Sequence, residues 1–366
     1  DFAMIYTLER EHLPRVKLGW RTPDQIHFRM DNEHPVGASH HQKFVVADDK
    51  LAFVGGIDLT RGRWDTPSHQ PDNPRRVTPA GTSYLPFHDV QVAVDQNAAR
   101  SLGALYRKRW YHATGDTLAP PPTTGNRDPW PPSVQPDIKD ISVGLAQTLP
   151  TYRNRPAKTE IRNLYVDALK SAKRYVYVEK QYLTSHEFID VAAASLAMDD
   201  GPQILIVLPK RSEGWLEEKT MNALRRKHLK RLFECDTHDR LRVFYPHVEG
   251  LGQKWINVHA KLLIADDRLG IFGSANLSNR SMGFDTECNL AFEAQTKAGR
   301  ASIARLRDRL LGEHLGTSSE DVGNLIETKG SVINAVAELQ GGVRSLKPLP
   351  TEPPDEDGIV LRHEDL

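Results

Sequence analysis

Cysteine is nearly absent: Cys235 and Cys288 are the only two among 366 residues. That excludes a disulfide framework and any zinc site built on cysteine spacing. No apolar run approaches the ~20 residues that cross a bilayer as a helix, so the sequence reads as soluble or peripheral to a membrane, with its compartment unknown. An excess of charge of one sign is missing too, because 48 basic residues balance 48 acidic ones. The molecule as a whole has no field that would draw it to nucleic acid or anionic lipid. Arg225, Arg226, Lys227, Lys230 and Arg231 form one local basic cluster on an expected helix, read as a solvated face ahead of a phosphate-attracting patch. With 26% charged residues the composition is that of a folded globular protein, long enough for one large core or two smaller ones.

What the chain does contain is a repeat. His41-Gln-Lys43-Phe-Val-Val-Ala-Asp48, with Gly55-Gly56 six residues on, returns as His259-Ala-Lys261-Leu-Leu-Ile-Ala-Asp266 with Gly273-Ser274 six residues on. A single offset of 218 residues also brings Leu51 onto Leu269, Asp58 onto Asn276 and Leu59 onto Leu277. Two copies in register imply a duplicated unit whose halves face each other. The expected fold class is α/β, with two pseudo-symmetric halves and the active site between them.

Each copy reads as two short buried strands, Lys43–Ala47 with Leu51–Val54 and Lys261–Ala265 with Leu269–Phe272, joined by Asp-rich turns. Asp48 and Asp266 sit in those turns, where a structural role outweighs a chemical one. A strand and a helix follow each unit: Asp89–Val94 with Gln96–Tyr111, and Asn289–Phe292 with Lys297–Leu315. Prolines crowd residues 116–140, which read as an extended linker. Beyond it, helices over Thr159–Ser171, His186–Met198 and Trp215–Phe233 alternate with strands over Arg174–Glu179, Ile204–Leu208 and Leu241–Tyr245. That alternation predicts a parallel or mixed sheet covered on both faces. The expected division is residues 1–115 for the first half, 116–140 for the linker, 141–316 for the second half and 317–366 for a polar tail lying over the surface. Only forty residues precede the first motif, so the N-terminal half is expected to be incomplete at its start.

The repeated residues suit phosphodiester chemistry. Such a reaction needs a nucleophile, a proton for the leaving alkoxide, and cations or N–H donors around the phosphoryl oxygens. Two histidines can divide the first two tasks. Strand alternation puts His and Lys, two apart, on one face. The turns at Gly55, Gly56, Gly273 and Ser274 let the backbone approach a substrate, with Asp58 and Asn276 just beyond. Each imidazole also needs an acceptor for its second nitrogen. Asp89 and Glu287 are the candidates, one per half, with Asp65 and Asp285 as competitors.

On these residues the chain resembles the phospholipase D superfamily. His41-Gln-Lys43…Asp48…Gly55-Gly56-Ile-Asp58 followed by Arg63-Trp64-Asp65 is similar to its first signature, and His259-Ala-Lys261…Asp266…Gly273-Ser274-Ala-Asn276 to its second. Pro86-Phe87-His88-Asp89 and Glu179-Lys180-Gln181-Tyr182 resemble two smaller segments, with Phe87 and Lys180 standing where the family has Trp and Asn. The resemblance implies α/β/α sandwich halves and cleavage or exchange of glycerophospholipid headgroups through a covalent phosphohistidine. His41 would be the nucleophile and His259 the acid, although the sequence leaves these roles exchangeable. Lys43, Lys261 and Asn276 would hold phosphoryl oxygens, with Gln181 also lining the substrate pocket. The partners expected are a phospholipid at a membrane surface and water or a small alcohol as acceptor. No cofactor, metal or nucleic acid is expected, and the chain reads as a monomer. A cardiolipin-synthase-like phosphatidyltransferase is the nearest alternative; a nuclease or a non-catalytic lipid-binding scaffold is less favoured.

Overall fold

The computed structural model describes residues 23–122, 129–212 and 215–350, with the backbone alone for 215–220. The first half contributes β1 (Phe44–Ala47), β2 (Leu51–Gly55), β3 (Phe87–His88) and β4 (Gln91–Asp95), followed by the helix Gln96–Thr114. Among the described residues β1, β2 and β4 form an antiparallel three-stranded sheet in that order. Residues 116–122 and 129–142 carry neither helix nor strand. Residues 123–128 of the expected linker lie outside the described residues.

The second half carries β5 (Val143–Leu149), β6 (Lys158–Thr159), β7 (Tyr175–Glu179), β8 (Leu183–Thr184), β9 (Gln203–Val207), β10 (Leu241–Val248), β11 (Asn257–Val258), β12 (Leu262–Ala265), β13 (Leu269–Gly273), β14 (Leu277–Ser278), β15 (Glu287–Glu293) and β16 (Arg344–Pro348). Nine of these make one mixed sheet in the order β16-β10-β9-β7-β12-β13-β15-β5-β6. Its central strands β9, β7, β12 and β13 are buried on both faces, which is why they read as largely apolar runs. Tyr175, Tyr177, Leu262 and Ile264 join the core on one face, and Val176, Val178, Leu263 and Ala265 the core on the other. The helices Glu160–Ser171 and His186–Leu196 cover the second of these faces. The helix Lys297–Leu315 covers the first together with Ala52, Val54 and Leu102 of the other half. The two halves therefore share a core.

The duplication persists in backbone detail. Asp48 and Asp49 have φ of 52° and 56°, and Asp266 and Asp267 have 55° and 54°. Lys50 N–H donates to Ala47 O and Arg268 N–H to Ala265 O, each at 2.9 Å. Positive φ at both central residues makes each a type I′ hairpin turn, and Asp tolerates that conformation better than most side chains. Asp266 also accepts the backbone N–H groups of Lys173, Arg174 and Tyr175 at 2.7–3.0 Å, which ties the turn to the start of β7.

One expectation changes. Residues 317–350 are not a polar tail over the surface. They form the helices Ser319–Lys329 and Val332–Leu339 and the edge strand β16, and Val322, Ile326, Val336 and Leu346 are buried in the shared core. Their apolar residues are sparse in sequence but fall on one face of each element, which suffices for a cap on an existing core. Residues 351–366 lie outside the described residues. The basic cluster is largely the exposed face expected, with Lys227, Lys230 and Arg231 exposed, and Arg225 is the exception. Arg225 is buried and donates to Pro209 O and Lys210 O, Arg231 pairs with Asp190 and Lys230 with Glu234. Among the described residues no helix is long and apolar enough to cross a membrane.

Candidate active site

The site lies where the repeated strands of the two halves meet. Hairpin pairing of Phe44 with Val54, and of Leu262 with Phe272, puts the His-x-Lys lead-in and the small-residue turn at the same end of each hairpin. The lead-ins are then exchanged. His41 N–H donates to Thr286 O at 3.0 Å, and His259 N–H donates to His88 O at 2.7 Å, where β11 runs parallel to β3. Each histidine is thus bound to a segment of the opposite half.

This exchange decides which carboxylate serves which ring. His41 Nδ1 is 2.9 Å and 3.0 Å from the two oxygens of Glu287, and His259 Nδ1 is 2.8 Å from Asp89 Oδ2. The candidate carboxylates come one from each half, and each orients the ring of the other half. The Nε2 atoms have no hydrogen-bond partner among the described residues, so both rings keep that nitrogen for a ligand. Glu287 is fully buried. Burial raises its pKa, but the His41 charge and the hydrogen bonds from His41, Ser274 and Ser281 outweigh it and hold the carboxyl below its ordinary value. Asp89 is the reverse case: burial pushes it up to about 7 despite the nearby Lys261.

The competitors do other work. Asp65 accepts from Arg76, His69 and the Phe87 N–H, and Asp285 accepts from Arg280 and the Ser39 N–H. Both brace loops that lead into the site.

Lys43 Nζ donates to His41 O at 2.9 Å and lies 3.4 Å from Asp58. Lys261 Nζ donates to His259 O at 2.6 Å and to Gln181 Oε1 at 3.1 Å. Each ammonium is held beside its own histidine by that residue's carbonyl. Burial is the main reason that Lys261 is pushed down to about 7, and Lys43 adds to it. Burial likewise holds His259 well below the ordinary imidazole value, reinforced by Lys261, Arg63, Lys43 and His41. Buried cations crowded together favour uncharged forms, and an anion bound among them would favour the charged ones.

The turns fit tightly. A Cβ on Gly56 would lie 2.5 Å from Asp89 Oδ1 and 2.6 Å from His259 O. Gly55 and Gly273 are equally closed, against Val90 O and Asn289 Oδ1. Ser274, expected to touch substrate, donates its hydroxyl to Glu287. Asn276 is buried, and its Oδ1 has no hydrogen-bond partner among the described residues. Lys180 is fully buried, donates to Ala275 O at 2.9 Å and contacts Tyr165, while Ala275 N–H reaches Asn289 Oδ1 at 3.1 Å. Lys180 thus holds the turn that carries Asn276 from behind.

Several residues of the site enter the sequence reading only as motif positions without a role (Arg63, Phe87, His88 and Glu179), or not at all (His69, Glu313 and His314). Arg63 stacks 4.8 Å over Phe87, which in turn packs against His259 with ring centroids 5.4 Å apart. Behind β3, His88 bridges Glu179 at 2.6 Å and Glu313 at 2.8 Å. His69 bridges Glu313 and Asp65, and His314 reaches Glu179 at 3.1 Å. Burial disfavours a charged His88, but its two glutamates prevail and raise its pKa well above the ordinary value. His69, His88 and Glu313, or His88, Glu179 and His314, bring ligand-type atoms within 4.8 Å of one another. In the structure these groups satisfy each other through imidazole–carboxylate hydrogen bonds, bracing the segment that carries Asp89. Their spacing in the sequence has no period, so only the fold could assemble them.

Comparison with known proteins places the sequence in a family. Residues 15–197 match the family model described as Phospholipase D, and residues 165–305 the one described as Cardiolipin synthase, PLD-like domain. The chain is 26% identical over 360 residues to Phospholipase D A of Dictyostelium discoideum, covering 77% of this chain and 27% of that protein. It is 23% identical over 403 residues to Phospholipase D alpha 1 of Nicotiana tabacum, covering 79% and 50%. This chain therefore spans between about a quarter and a half of these relatives. Phosphatidylserine synthase of Haemophilus influenzae aligns structurally at 13% identity with a TM-score of 0.49, covering 82% of this chain and 70% of that one.

Proposed function

Because this chain belongs to the phospholipase D superfamily, we propose that it is a phosphodiesterase cleaving or exchanging the headgroup of glycerophospholipids. The observation that carries this reading is the crossed pair of anchored imidazoles, each with a free Nε2 and a lysine beside it. In the proposed sequence His41 Nε2 attacks phosphorus, the bond to the headgroup oxygen breaks, and His259 Nε2 gives its proton to the departing alkoxide. Water or an alcohol then attacks the phosphohistidine, His259 takes its proton, and the P–N bond breaks to restore His41. Lys43, Lys261 and Asn276 neutralise and orient the phosphoryl oxygens, Gln181 sets Lys261, and Glu287 and Asp89 hold the ring tautomers.

Released headgroup tests the reading. The protein, given vesicles of phosphatidylcholine, phosphatidylethanolamine and phosphatidylglycerol, releases the alcohol of at least one, and added ethanol diverts product to phosphatidylethanol. No release from any of the three would refute it. The match of residues 165–305 to the cardiolipin synthase description favours a second reading, transfer of a phosphatidyl group to phosphatidylglycerol. It predicts that cardiolipin outweighs phosphatidate in the same assay.

The electrostatics add a pH signature. Both His259 and Lys261 must carry protons to act, and both sit below their ordinary values, Lys261 at about 7. Each is charged below its pKa and neutral above it. The free-enzyme profile, kcat/KM, therefore starts to decline on the acid side of 7, where His259 loses its proton, and falls further as Lys261 does so at about 7. A bound phosphodiester anion raises both groups, so the corresponding fall in kcat lies at higher pH. Because one imidazole must be neutral while its partner is charged, both profiles are bell-shaped. Coincident alkaline limbs, measured on a soluble short-chain substrate, would contradict this account.

A further inference from the structure

Among the described residues the two most exposed large apolar side chains are Leu59 at 85% and Val36 at 84%. They flank one strand end. Val36 lies five residues before His41, and Leu59 follows Asp58, whose carboxylate reaches Lys43. Since Phe44 pairs with Val54 in the antiparallel hairpin, both segments leave the sheet at the end that carries the site.

Neither exposure follows from the local fold. Leu59 aligns by the 218-residue offset with Leu277, which is 0% exposed within the core. In the second half that position belongs to β14, paired with β8; in the first half residues 57–60 form no strand. Val36 stands at the tip of a turn closed by Ala38 N–H to Pro35 O at 3.1 Å, with Gly37 at φ +84°. This is type II geometry, in which the tip position accepts almost any residue and Gly is favoured next. The turn is braced, because Arg280 donates to Gly37 O at 2.8 Å. A polar residue would serve either position at no structural cost. Trp64, half exposed with the Arg75 guanidinium 4.6 Å over its ring, lies on the loop that continues from Leu59.

We propose that Val36 and Leu59 are the tips of a docking rim that enters the apolar layer of a phospholipid surface, holding the mouth of the site against the bilayer. The inference rests on the phospholipid reading above. A lipid whose acyl chains stay in the aggregate must be reached from the surface, and the apolar tips stand where that surface would meet the protein. The chain carries no net charge, so attachment falls to buried apolar area rather than to a cationic field, and neutral lipid suffices.

The test separates docking from catalysis. Sedimentation of the full chain, carrying His259→Ala to stop turnover, with phosphatidylcholine vesicles measures partition alone. Leu59→Ser and Val36→Ser each weaken it by about tenfold, the scale expected for removing one inserted aliphatic side chain, and Leu59→Trp restores or strengthens it. High salt leaves it nearly unchanged. In otherwise wild-type protein the same serine variants slow hydrolysis of vesicles but not of a short-chain phosphatidylcholine kept monomeric. Absence of wild-type partition, partition indifferent to both substitutions, or parallel loss on monomeric lipid would overturn the proposal. If the wild type cleaves neither lipid form while Leu59→Ser still weakens partition, the hydrolase reading fails and the docking rim stands.

Discussion

His41→Ala and His259→Ala each lower kcat on a natural phospholipid by about 10⁴-fold or more, and the double variant is little worse than either single one. Groups that act on one phosphorus atom as a unit lose their joint contribution when one is removed, so the effects do not add. The two rings fail for different reasons, and the leaving group tells them apart. Headgroup alkoxides need a proton to depart; p-nitrophenoxide does not. With a p-nitrophenyl phosphodiester, His259→Ala still completes the first displacement and accumulates phosphoenzyme, seen as a burst of nitrophenol and as acid-labile label on His41. His41→Ala gives no burst. The opposite pattern would exchange the roles of nucleophile and acid. Absence of a phosphoenzyme in either variant, with hydrolysis intact in the wild type, would remove the covalent intermediate from the scheme.

Much of this was legible in the residue order because the duplication is local. Each strand–turn–strand unit is encoded within about fifteen residues, and its Asp-Asp turns have near-identical backbone angles in both halves. The His-Lys pairs are read from strand alternation, and both fall in the lead-ins just before β1 and β12. What could not be read is what the halves exchange. Asp89 lies 48 residues after His41, Glu287 only 28 after His259, so the carboxylates have no common register and the choice of partner is made by the packing of β3 against β11. The His88 network was hidden for the same reason: Glu179, Glu313 and His314 come from a strand and a helix far apart in the chain, and their value depends on being buried together. The capping helices after Ser318 were missed because their apolar residues are too few for a core of their own, yet enough to complete one already present.

The crossed carboxylates lead to the second large effect. Asp89→Asn and Glu287→Gln each reduce kcat by about 10⁴-fold, because an amide in place of the carboxylate can donate to Nδ1 and hold the ring in the wrong tautomer, and no longer supports the imidazolium. Glu287→Gln also leaves Ser274 and Ser281 facing a buried amide. Rate loss alone would not reveal which ring each serves, so the pairing is checked spectroscopically. In ¹⁵N-histidine-labelled protein Asp89→Asn shifts the Nδ1 resonance of His259 and spares His41, while Glu287→Gln shifts His41 and spares His259, each assigned by the corresponding His→Ala variant. A pairing within each half predicts the reverse, Asp89 with His41 and Glu287 with His259. Because each half then orients the other's imidazole, neither histidine is set for chemistry until the two halves are packed together, and the shared core around Ala52, Leu262 and Leu290 becomes a condition of activity as well as of stability.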